Sequence, residues 1–139
     1  MISDKLKKIT LISLVMIYAH GLEEIIFGFW KVNSVLSGFY NQFSSIPQAA
    51  YYASHIPWWL FLVPLFLLVL GGKWTLRVMA LFGLVFIIEI HHILGGLTPL
   101  SYYPGLITAI FYPIVGFFYW KEWIKNFRDQ NGRKSKRKN

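Results

Sequence analysis

The sequence predicts an all-α membrane protein, a four-transmembrane-helix bundle with N-terminus and C-terminus both cytoplasmic. Three observations predict it. Hydrophobic residues make up 55% of the 139-residue chain and charged residues only 14%, where an average soluble domain carries about 25% charged residues. Four stretches, 9–30, 54–70, 74–94 and 104–123, come near the roughly 20 apolar residues that cross about 30 Å of hydrocarbon. Positive charge is concentrated at one end, with eight of the fourteen Lys and Arg between Lys121 and Lys138. A chain of this length makes one domain, here residues 1–126, followed by a basic tail, 127–139.

Each span is read as a helix, because a lone strand in lipid leaves its backbone groups unpaired and nothing here alternates like a barrel strand. In the first, Lys5, Lys7 and Lys8 precede the apolar run and Ala19 could serve a signal-peptide cleavage site. The run continues past Ala19 to Trp30, which favours a retained span. The connection 31–53 is nearly uncharged and contains Tyr40, Asn41 and Gln42, a composition that suits a lid or an interfacial segment as well as a plain solvated loop. The second and third spans are joined by Gly71, Gly72 and Lys73, and the third and fourth by 95–103; turns this short make antiparallel neighbours. Pro64 and Pro113 are expected to kink their helices. The tail is expected to be disordered and to lie on anionic lipid, at about 1 kcal/mol per basic residue.

Orientation follows from the charges. With the N-terminus inside, Lys5, Lys7, Lys8, Lys73, Arg77 and the eight tail cations share the inner side, and only Lys31 is outside. Trp30, Trp58 and Trp59 then fall at outer span ends and Trp74, Trp120 and Trp123 at inner ones, as an aromatic belt does. The expected location is a multi-pass protein of a prokaryotic plasma membrane, with membrane lipid as partner, a possible homo-oligomer, and no nucleic acid. The absence of cysteine excludes a disulfide scaffold, thiolate metal sites and a cysteine nucleophile.

The costly residues locate the candidate site. Three of the six acidic residues, Glu23, Glu24 and Glu89, lie inside predicted spans, and His20, His55, His91 and His92 lie inside them or at their edges. A charge at the bilayer centre costs roughly 2.5–3.5 kcal/mol on insertion scales, so these groups must face inward and find partners. His20, Glu23 and Glu24 stand at i, i+3 and i+4 on one helix face, and Glu89 and His92 at i and i+3 on another. His91 points elsewhere by about 100° and is placed at a helix interface without a role. His55 comes from the second span, and Thr108 and Tyr112 share a face of the fourth. All reach one layer in the outer half of the bundle.

Residues 20–24, His-Gly-Leu-Glu-Glu, resemble the signature of the HXXEE family of small, uncharacterised integral membrane proteins. The resemblance extends over the first three spans, with His55 and the Glu-Ile-His-His run at 89–92 as companions. It implies an architecture and a site, and no reaction.

Imidazole with carboxylate suits Zn, Fe or Mn. Glu-x-x-His on facing helices is how bundle proteins hold carboxylate-bridged metal pairs, and Glu89 with His92 has that spacing once. Three Glu and four His depart from the full four-Glu, two-His set, so a single ion fits more easily, with His20, Glu23, Glu24, His55, Glu89 and His92 as its candidate ligands. His20, Glu23 and Glu24 are the candidate catalytic residues of a membrane enzyme acting on a lipidic or apolar small molecule. Two alternatives use the same groups: a proton or metal-ion transport component, and a metal-free acid/base isomerase. A purely structural interhelical network stands beside these. Four histidines are too few for a histidine-box desaturase. Phe27 and Gly28 stand where a CAAX-type protease carries Arg, and no phosphate loop or serine nucleophile is recognisable.

Overall fold

The computed structural model describes residues 2–70, 75–97 and 102–136. Every regular element among them is a helix: α1 (Asp4–Phe27), α2 (Phe29–Val32), α3 (Ser34–Asn41), α4 (Pro47–Leu70), α5 (Thr75–Gly83), α6 (Val85–Ile88), α7 (Ile90–Leu97), α8 (Leu106–Ala109) and α9 (Phe111–Lys136). Lys73 and Trp74, which bear on the expected orientation, lie outside the described residues.

Ser3 caps α1, its hydroxyl accepting the Leu6 N–H at 3.2 Å. The helix stops at Phe27, short of the expected Trp30, because Gly28 takes a left-handed φ of 74° and turns its N–H back onto the Glu24 carbonyl. The connection that follows is largely helical, holding α2, α3 and the first turns of α4. Expected to begin near 54, that helix instead starts at Pro47, whose fixed φ suits a first helical turn, and it runs unbroken through Pro64. The fourth segment divides at Ile110 into α8 and α9, with Ile110 itself keeping right-handed helical angles of φ −56° and ψ −30°. Pro113 has no N–H for the Ala109 carbonyl, and within α9 it occupies the first turn, where none is needed. Tail residues expected to be disordered from 127 are helical to Lys136.

Packing brings the long segments around a common interior. α1 lies against α4, α8 and α9, while α5 lies against α4 and α9. Leu6, Leu14, Met79, Phe86, Tyr112 and Tyr119 form the buried apolar core. The Tyr119 hydroxyl donates to the Met79 carbonyl at 2.6 Å and Trp123 Nε1 to that of Leu76 at 2.7 Å, which joins α9 to α5. At the same end Ser3 donates from its N–H to Asn126 and from its hydroxyl to Glu122, holding the start of α1 on α9.

Beside that apolar core, polar side chains are buried and large apolar ones exposed. Thr10, Ser13, His20, Glu23, His92, Glu122 and Asn126 are buried, while Ile12, Val15, Ile26, Leu81, Ile88 and Phe117 are more than half exposed. Thr10 and Ser13 satisfy their hydroxyls on carbonyls one turn back, Leu6 and Ile9. Two helical stretches among the described residues, Asp4–Phe27 and Thr75–Leu97, are long and apolar enough to cross a membrane.

Candidate metal centre

Four elements deliver the site. The second half of α1 carries His20, Glu23 and Glu24. In the α5–α7 segment the helix tightens at Glu89, where the His92 N–H bonds the Glu89 carbonyl three residues back at 3.2 Å. Such a turn nearly eclipses i and i+3, so Glu89 and His92 project together. α4 brings His55 and Tyr51, and the α8–α9 segment brings Thr108 and Tyr112.

His20 Nε2 lies 2.9 Å from Glu89 Oε2 and 3.8 Å from Glu24 Oε1, and His92 Nε2 lies 3.1 Å from Glu24 Oε1 and 3.4 Å from Glu89 Oε2. His20, Glu89 and His92 place ligand atoms within 4.8 Å of one another and could hold a metal ion. His92 is fully buried and His20 nearly so. His55 joins through the other oxygen of Glu24, Nε2 to Oε2 at 3.4 Å, and the Tyr51 hydroxyl donates to that oxygen at 3.3 Å.

The far ring nitrogens define the protonation of the near ones. His92 Nδ1 is 2.7 Å from the Pro104 carbonyl and His55 Nδ1 is 3.1 Å from that of Tyr51. A carbonyl only accepts, so each Nδ1 carries a proton and the neutral ring turns a bare Nε2 toward the carboxylates. In neutral His92 a lone pair thus faces carboxylate lone pairs at 3.1–3.4 Å, an arrangement that requires a proton or a cation between them. Among the described residues His20 Nε2 and His92 Nε2 meet the carboxylates outside ideal hydrogen-bond geometry, and the buried Tyr112 hydroxyl has no hydrogen-bond partner. The Tyr112 ring packs on His20 with centroids 5.3 Å apart.

Glu23 is turned to a different task. Its Oε1 accepts from the Tyr102 hydroxyl at 2.8 Å and the Ile107 N–H at 2.9 Å, and its Oε2 from the Thr108 N–H at 2.8 Å and the Thr108 hydroxyl at 2.6 Å. The carboxylate therefore satisfies backbone donors at the start of α8, and both its oxygens are engaged away from His92 and Glu89. Burial, the bond to Glu23 and the Glu23 charge raise the Tyr102 phenol above its ordinary range, so it remains a donor. His91 is exposed, not buried at a helix interface; its Nδ1 contacts the Ile88 carbonyl at 2.8 Å.

Two glycines make room. A Cβ on Gly105, whose φ is +91°, would meet His92 Nδ1 at 2.5 Å and His20 Cε1 at 2.8 Å. One on Gly21, inside the motif, would meet Trp59 at 3.1 Å and His55 at 3.2 Å. Sequence reasoning missed Tyr51, Tyr102, Gly105 and the Pro104 carbonyl; of these only the Pro-Gly pair at 104–105 carries a local signal, that of a turn.

Fold and site together define an all-helical protein with an interior His/Glu cluster able to hold a metal ion. Residues 11–120 match the family described as "Protein of unknown function with HXXEE motif", and the chain belongs to this HXXEE family. No curated protein matches the chain. No solved structure matches it either.

Proposed function

We propose that the chain is a four-span membrane protein whose interior cluster binds one transition metal ion, Zn, Fe or Mn, and that it acts as an enzyme on a lipidic or apolar small molecule. One observation carries the metal: the Nε2 atoms of His20 and His92 converge with the carboxylates of Glu89 and Glu24 at a buried point, the ligand atoms of His20, Glu89 and His92 lying within 4.8 Å of one another. His20, His92, Glu89 and Glu24 are the ligands, and His55 and Tyr51 steady the outer oxygen of Glu24. Glu23 is not a ligand in this reading. An ion of this kind supplies a Lewis acid, or an activated water, in a water-poor interior. The Tyr112 hydroxyl would donate to whatever small ligand completes the coordination.

The membrane part is supported by the exposed aliphatic residues, the buried polar ones and the thirteen-to-one division of Lys and Arg under the four-span topology with inner termini. Val35, Phe39 and Phe43 recur every four residues and are more than half exposed. That stripe suits α3, which carries the first two, and the turn after it lying in the membrane interface.

The enzyme part is supported by a groove of about 980 Å³ lined by Trp30, Lys31, Ser37, Asn41, Pro47 and Tyr52, among others. The Trp30 ring is 5.8 Å from that of Tyr51, which touches Glu24.

The metal is tested by titrating the detergent-solubilised protein with Co(II). Ligand-field bands that vanish in His92→Gln and Glu89→Gln are expected, and their absence in wild type overturns the centre. Catalysis is tested by mass spectrometry of membrane lipids incubated with metal-loaded wild type or Glu24→Gln. A product that needs Glu24 supports the enzyme; none, with metal bound, moves the reading to metal-ion transport.

A further inference from the structure

Within the His-Gly-Leu-Glu-Glu motif, Glu23 and Glu24 are adjacent and both lie within one turn of His20, yet only Glu24 reaches the other imidazoles. We infer that Glu23 is a positioning residue that works through Thr108, its carboxylate orienting the Thr108 hydroxyl so that His20 is held with Nδ1 protonated and Nε2 bare. The inference rests on the metal reading for its purpose, but its geometry stands without a metal.

Proton counting carries it. All four partners of Glu23 are donors: the Tyr102 hydroxyl, the Ile107 and Thr108 N–H groups, and the Thr108 hydroxyl at 2.6 Å. A carboxylate so surrounded is ionised and only accepts. Thr108 has one hydroxyl proton, and the short contact to Glu23 claims it; a weaker acceptor, the Gly105 carbonyl, lies at 3.2 Å. His20 Nδ1 lies 2.6 Å from the same hydroxyl oxygen. That oxygen has no second proton to give, so His20 Nδ1 must be the donor. In the neutral ring Nε2 is thereby left bare, 2.9 Å from Glu89 Oε2.

His92 and His55 reach the same state on the Pro104 and Tyr51 carbonyls. His20 alone uses a side chain that could equally donate, and Glu23 removes that ambiguity. A carboxylate behind a ligand imidazole raises its basicity and fixes its ring, and loss of such a partner typically weakens metal binding 10- to 100-fold. Here one hydroxyl is interposed. The two glutamates of the motif thus divide the labour: Glu24 faces the ion, and Glu23 holds the histidine that does.

The test is nitrogen-15 NMR of histidine-labelled, metal-free protein in detergent, at a pH where His20 is neutral and with its signal assigned by loss in His20→Gln. The expected result is a proton on Nδ1 and none on Nε2. Thr108→Val should abolish that preference and weaken Zn(II) binding about 10- to 100-fold, and Thr108→Ser should restore both. A proton on Nε2 in wild type overturns the inference, as does a Thr108→Val protein with unchanged tautomer and affinity. The wild-type spectrum decides even if Thr108→Val does not fold. The Nδ1–H tautomer in a wild type that binds no Zn(II) supports the Glu23 relay and overturns the metal reading alone.

Discussion

His92 Nε2 and Glu24 Oε1 stand 3.1 Å apart with the His92 side chain wholly buried. The Pro104 carbonyl holds the only ring proton of neutral His92 on Nδ1, so with a neutral ring the pair lacks a proton of its own and, in the proposed reading, a cation completes it. Replacing Glu24 with Gln keeps the shape and removes the charge. The expected outcome for Glu24→Gln is a folded protein whose Zn(II) affinity, measured by competition with a chromophoric chelator, falls at least about 100-fold, the upper range for loss of a partner one step further from a metal.

Glu23 should behave as a structural carboxylate that no amide can replace. Any orientation of a Gln side chain puts its NH₂ against a backbone donor, so Glu23→Gln should unfold more easily than wild type by about 1.5–3 kcal/mol, the range for hydrogen bonds to charged groups. Tyr102→Phe removes one of the four bonds and should cost about 1–2 kcal/mol. Denaturant titration in mixed micelles measures both, and equal stability of Glu23→Gln and wild type would refute the assignment.

The Tyr112 hydroxyl is fully buried without a hydrogen-bond partner among the described residues. Left alone, such a group lowers stability, and Tyr112→Phe should leave the metal-free protein as stable as wild type or more so, by up to about 1–3 kcal/mol. In the metal-loaded protein the same variant should bind azide more weakly, because in the proposed centre the hydroxyl would donate to a ligand of the ion. Azide affinity equal to that of wild type would remove Tyr112 from the centre.

Gly105 is required twice, for its φ of +91° and for its contact with His92 and His20. A non-glycine backbone in that region costs about 1–3 kcal/mol, and a methyl group 2.5 Å from His92 Nδ1 must push the ring away. Gly105→Ala should therefore lose stability and Co(II) binding together, a joint loss that thermal melts and ligand-field spectra can follow.

Topology is testable because the chain lacks cysteine. Under the four-span reading, Ser37→Cys should react with a membrane-impermeant maleimide on intact cells, and Asn131→Cys only after permeabilisation. The opposite labelling, or labelling of both from outside, would reject the proposed orientation.

Much of the centre is legible in the sequence because helix geometry alone predicts it. Residues three and four apart share a face, so His20 with Glu24, and Glu89 with His92, can be paired before any coordinates exist. Thr108 with Tyr112 follows the same rule. What separates Glu23 from Glu24 is tertiary: the N–H groups of Ile107 and Thr108, 84 and 85 residues away in the chain, claim one carboxylate and leave the other. The Pro104 and Tyr51 carbonyls that define two imidazole tautomers are backbone atoms without a side-chain signature. Helix ends were legible only in part. Gly28 stops α1 through a left-handed φ that an apolar count does not register, and α4 extends back to Pro47 through Tyr51 and Tyr52, whose aromatic rings read as connection.

The most direct test of the metal centre is elemental analysis of the protein purified in mild detergent without a metal-affinity column, set against a His20→Ala and Glu24→Ala double variant. About one equivalent of Zn, Fe or Mn in wild type and none in the variant is the predicted result. A well-folded wild type that carries no metal and takes none up on titration would contradict it, and would leave protons in place of the ion between His20, His92, Glu24 and Glu89.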